Sequence, residues 1–321
     1  MAPLDFHLEN PLSATPPLPP PAHDAPLPTA RLTANGISVL VGVPYAASPG
    51  IRPVELDLWL PPAGETPTPV VVFLHGGGWR LGSRHSAGPA YNGADPGPFE
   101  QVAQSGIAVA SIDYRLSGEA TWPAQLHDAK AAVRWLRRRS GELGIDPARI
   151  AAWGESAGGH LAELLGLTID DDALEGQVGI VGPSSAVAAV AAWYGPSDIA
   201  SVATDLGADP LDPTSREALL IGAAAPTALE IAAQASPISH VTPSAVPFLL
   251  LHGRADRMVP AVQSERLHDA LAAAGVRVEL HLYDGADHMW LGAAGAAAAA
   301  DAVPRTIDFL WRQFGTSPGG S

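Results

Sequence analysis

The segment most informative about the fold is Ile150-Ala151-Ala152-Trp153-Gly154-Glu155-Ser156-Ala157-Gly158, which runs on into an apolar helical segment over residues 159–167. Its first four residues are typical of a buried strand, and the pattern Gly-x-Ser-x-Gly then predicts a sharp turn into a helix. Glycine suits both ends of the turn because a side chain would collide there with the neighbouring strand or helix. The turn is expected to expose the Ser156 hydroxyl at one edge of a sheet.

Seven other short apolar runs alternate with helical patterns along the chain. The central runs are almost wholly apolar, as expected for strands that are covered on both faces. Helical spacing is clearest over residues 124–143, 262–274 and 302–314. We therefore predict an α/β chain in which a mostly parallel eight-stranded sheet carries helices on both faces. The strands are predicted at residues 37–43, 54–60, 70–74, 108–112, 150–153, 187–193, 248–251 and 278–283.

Two segments depart from this alternation. Residues 1–30 are crowded with proline, which blocks both helices and sheet ladders and predicts an extended, polyproline-like arm. Residues 195–247 form a long connection after the sixth predicted strand, and connections of that length are usually functional. We predict a proline-rich arm over residues 1–30 and one α/β domain over residues 31–321, with a small cap formed by residues 195–247.

The composition argues against several kinds of partner. A formal net charge of −15 disfavours nucleic acid and anionic lipid, because both require a basic surface. The chain has no cysteine, which excludes a thiol nucleophile, a thiolate metal site and disulfides. It shows no metal-ligand spacing, no secretory signal pattern and no apolar run of membrane-spanning length. We expect a cytoplasmic protein with no metal and no cofactor, and the sequence leaves a homo-oligomer open.

A glycine-rich loop follows the third predicted strand, with the sequence His75-Gly76-Gly77-Gly78-Trp79. Successive glycines let the backbone approach a substrate closely and point N–H groups into one small volume. Such donors stabilise the negative charge that develops on a carbonyl oxygen under attack. We predict that the N–H groups of Gly77, Gly78 and Ala157 form an oxyanion hole, and that His75 has a structural role.

A serine nucleophile needs a base and an orienting acid. His288 follows the last predicted strand, and Asp256 lies in the loop after the strand before it. The order serine, acid, histidine is the one that this arrangement of strands uses. His160 is the main alternative base, but it lies one helical turn after Ser156 and is expected to point along the helix. We predict Ser156, Asp256 and His288 as the catalytic residues.

Two tryptophans lie next to these motifs. Trp79 is the last residue of the glycine-rich loop, and Trp290 lies two residues after the predicted base. Either ring would add apolar surface to a substrate pocket, and either would equally fill the core. We keep both as pocket candidates.

Together these motifs resemble those of the α/β-hydrolase superfamily, within its carboxylesterase group. The chain is similar to the hormone-sensitive-lipase-like subfamily and to the feruloyl- and acetyl-xylan-esterase-like subfamily known as BD-FAE. Glu155 stands where hormone-sensitive-lipase relatives usually have aspartate. The resemblance covers roughly residues 54–314, and its carriers are residues 75–79, 113–116, 122–125, 144–147, 154–162, 252–256, 259–260, 263–264 and 285–288.

The resemblance implies the α/β-hydrolase fold and a serine carboxylesterase that hydrolyses short-chain acyl, acetyl or feruloyl-type esters of small molecules through an acyl-enzyme. Two alternatives stay open. The same machinery cleaves amides in arylformamidases and serine peptidases, and some proteins of this fold are inactive binding proteins. Inactive members typically lack a member of the triad, whereas all three residues are present in this chain.

Overall fold

A mostly parallel sheet forms the centre of the computed structural model, which describes residues 21–47, 52–169 and 171–315. Its nine strands lie in the order β1-β2-β3-β5-β4-β6-β7-β8-β9. The pairs β1–β2, β2–β3 and β3–β5 are antiparallel, and the remaining pairs are parallel. The strands are β1 Arg31–Leu32, β2 Ser38–Ala46, β3 Val54–Leu60, β4 Thr68–Leu74, β5 Ala108–Ile112, β6 Ile145–Glu155, β7 Val190–Trp193, β8 Phe248–Gly253 and β9 Val278–Tyr283.

All eight predicted strands are present as β2 to β9, which confirms the predicted fold class. The additional strand β1 has only two residues, and both are exposed, so it leaves no apolar pattern to detect. β6 begins earlier than predicted, at Ile145, and runs through Pro147.

Helices cover both faces of the sheet. Side chains of β4 alternate between the faces: Val70, Val72 and Leu74 join the apolar core beneath α2, α4 and α9, whereas Val71 and Phe73 join the core beneath α1 and α10. The helices are α1 Pro98–Gln104, α2 Ala124–Arg138, α3 Ser140–Leu143, α4 Ala157–Leu167, α5 Asp172–Glu175, α6 Val202–Asp205, α7 Arg216–Ile221, α8 Leu229–Gln234, α9 Val262–Ala273 and α10 Gly295–Phe314.

Two helix boundaries differ from the prediction. The segment 124–143 divides into α2 and α3 at Arg139, whose backbone leaves the helical region. α10 begins at Gly295, seven residues before the predicted start, because the run of alanines ahead of residue 302 continues the helix.

The connection between β7 and β8 contains α6, α7 and α8 and packs on the body of the molecule. The backbone N–H of Trp122 donates to the carbonyl of Leu220, and the Trp122 indole donates to Gln234 at 2.9 Å. The Arg266 guanidinium of α9 pairs with Asp205 at 2.6 Å. The interpretation of this connection as a cap remains a prediction.

The first twenty residues of the proline-rich segment lie outside the described residues. Its remainder contacts the C-terminal end of α2, where Trp135 of the helix and Arg139 just beyond it donate hydrogen bonds to the carbonyl of His23. No helix in the described part of the chain is long and apolar enough to cross a bilayer.

Candidate active site

Ser156 lies in the tight turn between β6 and α4. Its backbone has φ 52° and ψ −120°, a strained conformation for a residue with a side chain. The turn depends on the two flanking glycines. A Cβ on Gly158 would lie 2.0 Å from the carbonyl oxygen of Leu74, and one on Gly154 would lie 2.1 Å from that of Gly158. Only glycine fits at these positions, so the local sequence dictates the geometry that presents the serine.

The structure brings the three predicted catalytic side chains together in one hydrogen-bonded chain. His288 Nε2 lies 2.9 Å from Ser156 Oγ, and His288 Nδ1 lies 2.6 Å from Asp256 Oδ2. All three residues are at least nine-tenths buried. Because the carboxylate accepts from Nδ1, the unprotonated Nε2 faces the serine hydroxyl, which is the tautomer that general-base chemistry needs.

Several donors hold Asp256 in the ionised state. Its Oδ1 accepts the backbone N–H groups of Met258 and Val259, each at 2.8 Å. Burial opposes ionisation, but the neighbouring His252 and the hydrogen bond from His288 outweigh it and hold the pKa of the Asp256 carboxyl well below its usual range. The acid is therefore charged throughout the neutral range.

Two neighbours of the acid and the base support the loops that carry them. His252 Nε2 donates to the carbonyl of Val259 at 2.8 Å and lies 3.3 Å from Asp256 Oδ2. Asp287 accepts from the backbone N–H of His288 at 2.8 Å and from Arg257 Nε at 2.7 Å. Asp287 thus connects the loop after β9 to the loop after β8. Its position next to His288 in the sequence does not reveal this role.

The glycine-rich loop places its backbone beside Ser156. Gly77 and Gly78 have φ values of +115° and +61°, and a Cβ on Gly77 would lie 2.3 Å from the carbonyl oxygen of Leu81. Among the described residues, the N–H groups of Gly77, Gly78 and Ala157 have no acceptor. Their assignment as an oxyanion hole remains a prediction that this arrangement favours.

His75 and His160 both anchor the loop from buried positions. The His75 ring stacks on Tyr114 at 4.4 Å between centroids and donates from Nδ1 to the carbonyl of Gly76 at 2.7 Å. His160 Nε2 donates to the carbonyl of Ala235 at 2.6 Å, and its Nδ1 accepts from the Trp79 indole at 3.2 Å. Burial lowers the pKa of His160 to about 4, so the ring is neutral. Neither imidazole contacts the Ser156 hydroxyl in a hydrogen bond.

Sequence reasoning did not identify a buried acid–phenol pair behind the site. The Tyr194 hydroxyl donates to Glu155 Oε2 at 2.6 Å, and Glu155 Oε1 accepts the N–H of Gly76 at 3.3 Å. Burial raises the pKa of Glu155 despite these two donors. The position of Glu155 beside the serine was visible in the sequence, but the partner, thirty-nine residues away, was not.

A cavity of about 310 Å³ opens at Ser156 and His288. Its apolar lining comes from Leu81, Met258 and Met289, and its polar lining from the loop residues 76–78 together with Arg80, Glu155 and Arg216. The pocket candidates Trp79 and Trp290 depart from expectation. Both are only 2% exposed, and neither is among the described residues that line this cavity.

Trp79 and Trp290 are core residues because each ring packs against buried aromatic side chains. Trp79 meets His160 edge-on at 5.0 Å between centroids. Trp290 packs against Trp193 at 5.7 Å and against Tyr194 at 4.7 Å. Apolar packing on those rings removes them from the surface that a substrate would contact.

The described residues contain no group of three or more His, Asp or Glu side chains placed to hold a metal ion.

A serine at a β-strand-to-helix turn, with an acid and a histidine after the next-to-last and last strands of a parallel sheet, defines the α/β-hydrolase fold. Comparison with protein families agrees: the family model described as BD-FAE matches residues 56–271. The chain belongs to the BD-FAE family.

Individual relatives are esterases by name. Esterase LipQ of Mycobacterium tuberculosis is 34% identical over 236 residues, which cover 73% of this chain and 52% of LipQ. A truncated carbohydrate esterase from gut microbiota is 29% identical with a TM-score of 0.76, over 88% of this chain and 98% of that one. Esterase 2 of Thermogutta terrifontis is 26% identical with a TM-score of 0.69, over 92% and 96%. The chain spans about half the length of the curated relative LipQ.

Proposed function

We propose that this chain is a serine carboxylesterase that cleaves esters through an acyl-enzyme. The observation that carries the proposal is the continuous hydrogen-bonded chain from Ser156 through His288 to Asp256, at 2.9 Å and 2.6 Å. The names of LipQ and of the two structural neighbours support the ester as substrate class, since all three are called esterases.

The reaction follows from the positions of these groups. Ser156 Oγ attacks the ester carbonyl while His288 Nε2 accepts the hydroxyl proton. The carbonyl oxygen becomes an oxyanion held by the N–H groups of Gly77, Gly78 and Ala157. The intermediate collapses, the C–O bond to the alcohol breaks, and His288 returns the proton to the leaving alkoxide. Water then attacks the acyl-enzyme with the same base, which releases the acid and restores the serine.

The size of the cavity favours short acyl groups. About 310 Å³ must accommodate both the acyl chain and part of the alcohol, and three apolar side chains line it among the described residues. One structure of the Thermogutta terrifontis esterase 2 is titled as bound to propionate, the anion of a short acid. We expect kcat/KM to decline from butyryl towards dodecanoyl esters. A steady rise along that series would favour a lipase instead.

The test of the proposed activity is Ser156→Ala, assayed on 4-nitrophenyl acetate and butyrate. We expect kcat to fall by about 10⁴-fold or more. A neutral organophosphate ester should add its phosphoryl group to the wild-type protein, detected by mass, and not to Ser156→Ala. The thermal transition should stay close to that of the wild type, since the hydroxyl contributes little to packing. A variant that keeps a tenth of the wild-type kcat would overturn the assignment of the nucleophile.

Matched substrates separate the two alternatives. An amide-cleaving enzyme would hydrolyse an anilide or N-formyl amide faster than the ester of the same acyl group. An inactive binding protein would turn over neither and would resist the organophosphate. A cytoplasmic location stays a prediction, to be checked by cell fractionation, and a homo-oligomer stays open, to be checked by sedimentation.

A further inference from the structure

Two arginines line the cavity beside the serine, although the chain as a whole carries a formal net charge of −15. Arg80 follows the glycine-rich loop, and Arg216 begins α7 in the connection between β7 and β8. The rest of the lining is apolar side chain, backbone, Glu155 and the catalytic pair. The proposed esterase reaction has no step that uses either guanidinium.

Arg216 is positioned by contacts on both sides. A Cβ on Gly78 would lie 2.8 Å from Arg216 Cδ, so the aliphatic part of the side chain rests on the glycine-rich loop. Its Nη2 donates to the carbonyl of Met258 at 2.9 Å. The side chain is still 27% exposed, and within the described residues Nε and Nη1 make no hydrogen bond. One edge of the guanidinium is therefore held while another remains available to a ligand.

Arg80 is exposed and lines the same cavity as Arg216. Its backbone N–H donates to the carbonyl of Gly77 at 3.1 Å. This hydrogen bond fixes the backbone of Arg80 beside the glycine-rich loop. No ion pair or side-chain hydrogen bond joins the Arg80 guanidinium to another described residue. It differs in this from Arg84, which makes three ion pairs a few residues later.

Nearby acids do not neutralise the pair. Glu217 approaches Arg216 only to 3.7 Å, a long ion pair. Asp256 is engaged by His288, and Glu155 is buried and held by Tyr194 and by the N–H of Gly76. Among the described residues, no carboxylate therefore makes a close ion pair with either guanidinium in the cavity lining.

We propose that the cavity takes esters whose non-reacting part carries a carboxylate, and that Arg80 and Arg216 recognise it. This proposal rests on the proposed esterase function. Guanidinium groups suit the task because their N–H groups match the two oxygens of a carboxylate and stay charged at every working pH. A neutral ester would present no anion to either guanidinium.

The experiment compares 4-acetoxybenzoate with 4-acetoxybenzamide, which share the acetyl group and differ at a carboxylate or a neutral amide. The measured quantity is the ratio of kcat/KM for the anionic to the neutral ester. In Arg80→Met and in Arg216→Met we expect this ratio to fall by about 5- to 20-fold, mainly through KM, and further in the double variant. Comparing ratios cancels the different reactivity of the two leaving groups.

Two controls keep the result interpretable. Arg138→Met removes an exposed cation near the C-terminal end of α2 and makes the same change in net charge, so the ratio should stay at its wild-type value. Arg216→Lys keeps the charge but loses the paired N–H groups, so it should retain part of the preference that Arg216→Met loses, which separates recognition of the anion from any loosening of α7. An unchanged ratio in the double variant would overturn the proposal. A wild-type protein that hydrolyses neither ester would instead overturn the esterase function.

Discussion

The ring of Tyr194 meets the imidazole of His288 edge-on, with 4.7 Å between the two centroids. Tyr194 directly follows β7 and has φ 40°, so the backbone turns sharply to place the ring there. Its hydroxyl donates to Glu155, whose other oxygen accepts the N–H of Gly76. One side chain thus contacts the base and, through Glu155, the glycine-rich loop.

Tyr194→Phe tests that connection. The ring contact with His288 is kept, but the buried Glu155 loses its strongest donor, so we expect the free energy of unfolding to fall by about 1–3 kcal/mol. Denaturant unfolding measures it. Glu155→Gln combined with Tyr194→Phe should cost less than the sum of the single changes, because the two groups share one hydrogen bond. Strict additivity would mean that the pair is not coupled.

Replacing the two histidines near Ser156 should give opposite profiles. His288→Ala removes the group bonded to Ser156 Oγ, and we expect kcat to fall by about 10⁴-fold with little change in stability. His160→Ala leaves the carbonyl of Ala235 and the Trp79 indole unpaired in a buried site, so we expect about 2–4 kcal/mol of destabilisation and a much smaller loss of kcat. The measurements are ester turnover and thermal unfolding of both variants. The reverse pattern would make His160 the base and His288 the structural residue.

Glu163 should make the protein less stable as pH rises. It is fully buried in α4, and neither carboxyl oxygen has a hydrogen-bond partner among the described residues. Burial raises the pKa of Glu163 well above its usual value. Above about pH 4.3 the unfolded chain therefore releases a proton that the folded chain retains, and the free energy of unfolding falls with pH until the folded group also ionises.

Glu163→Gln cannot ionise and should remove this slope, which is at most about 1.4 kcal/mol per pH unit. The stability of the variant relative to the wild type should grow between pH 5.5 and pH 8.5, measured by denaturant unfolding. Glu230→Gln, at an exposed position of α8, is the control and should follow the wild type. Parallel curves for Glu163→Gln and the wild type would contradict the prediction.

Gly158 should tolerate no side chain. In Gly158→Ala the new Cβ would lie 2.0 Å from the carbonyl oxygen of Leu74, so the turn at Ser156 must shift, and we expect loss of both folding yield and ester turnover. Gly141→Ala lies in α3 with nothing within 4 Å of its Cβ and should be neutral or stabilising by up to about 1 kcal/mol. Thermal unfolding and activity of the two purified variants make the comparison.

The strands and the region of the site could be predicted from residue patterns alone. Apolar runs of strand length mark β2 to β9, and the glycines around Ser156 allow only one local geometry. Asp256 and His288 could be predicted because the carboxyl ends of neighbouring parallel strands meet at one edge of a sheet, whatever side chains follow. These inferences are local, or depend only on strand order.

Which side chains meet around that edge depends on tertiary packing. Trp79 and Trp290 are of a residue type that often lines substrate pockets. Packing nevertheless buries both rings, Trp79 against His160 and Trp290 against Trp193 and Tyr194. Arg216 reaches the cavity from an insertion whose sequence shows no pattern that predicts it. Such contacts join residues far apart in the chain, and their energies depend on how helices and loops pack together, which the spacing of residues along the sequence does not encode.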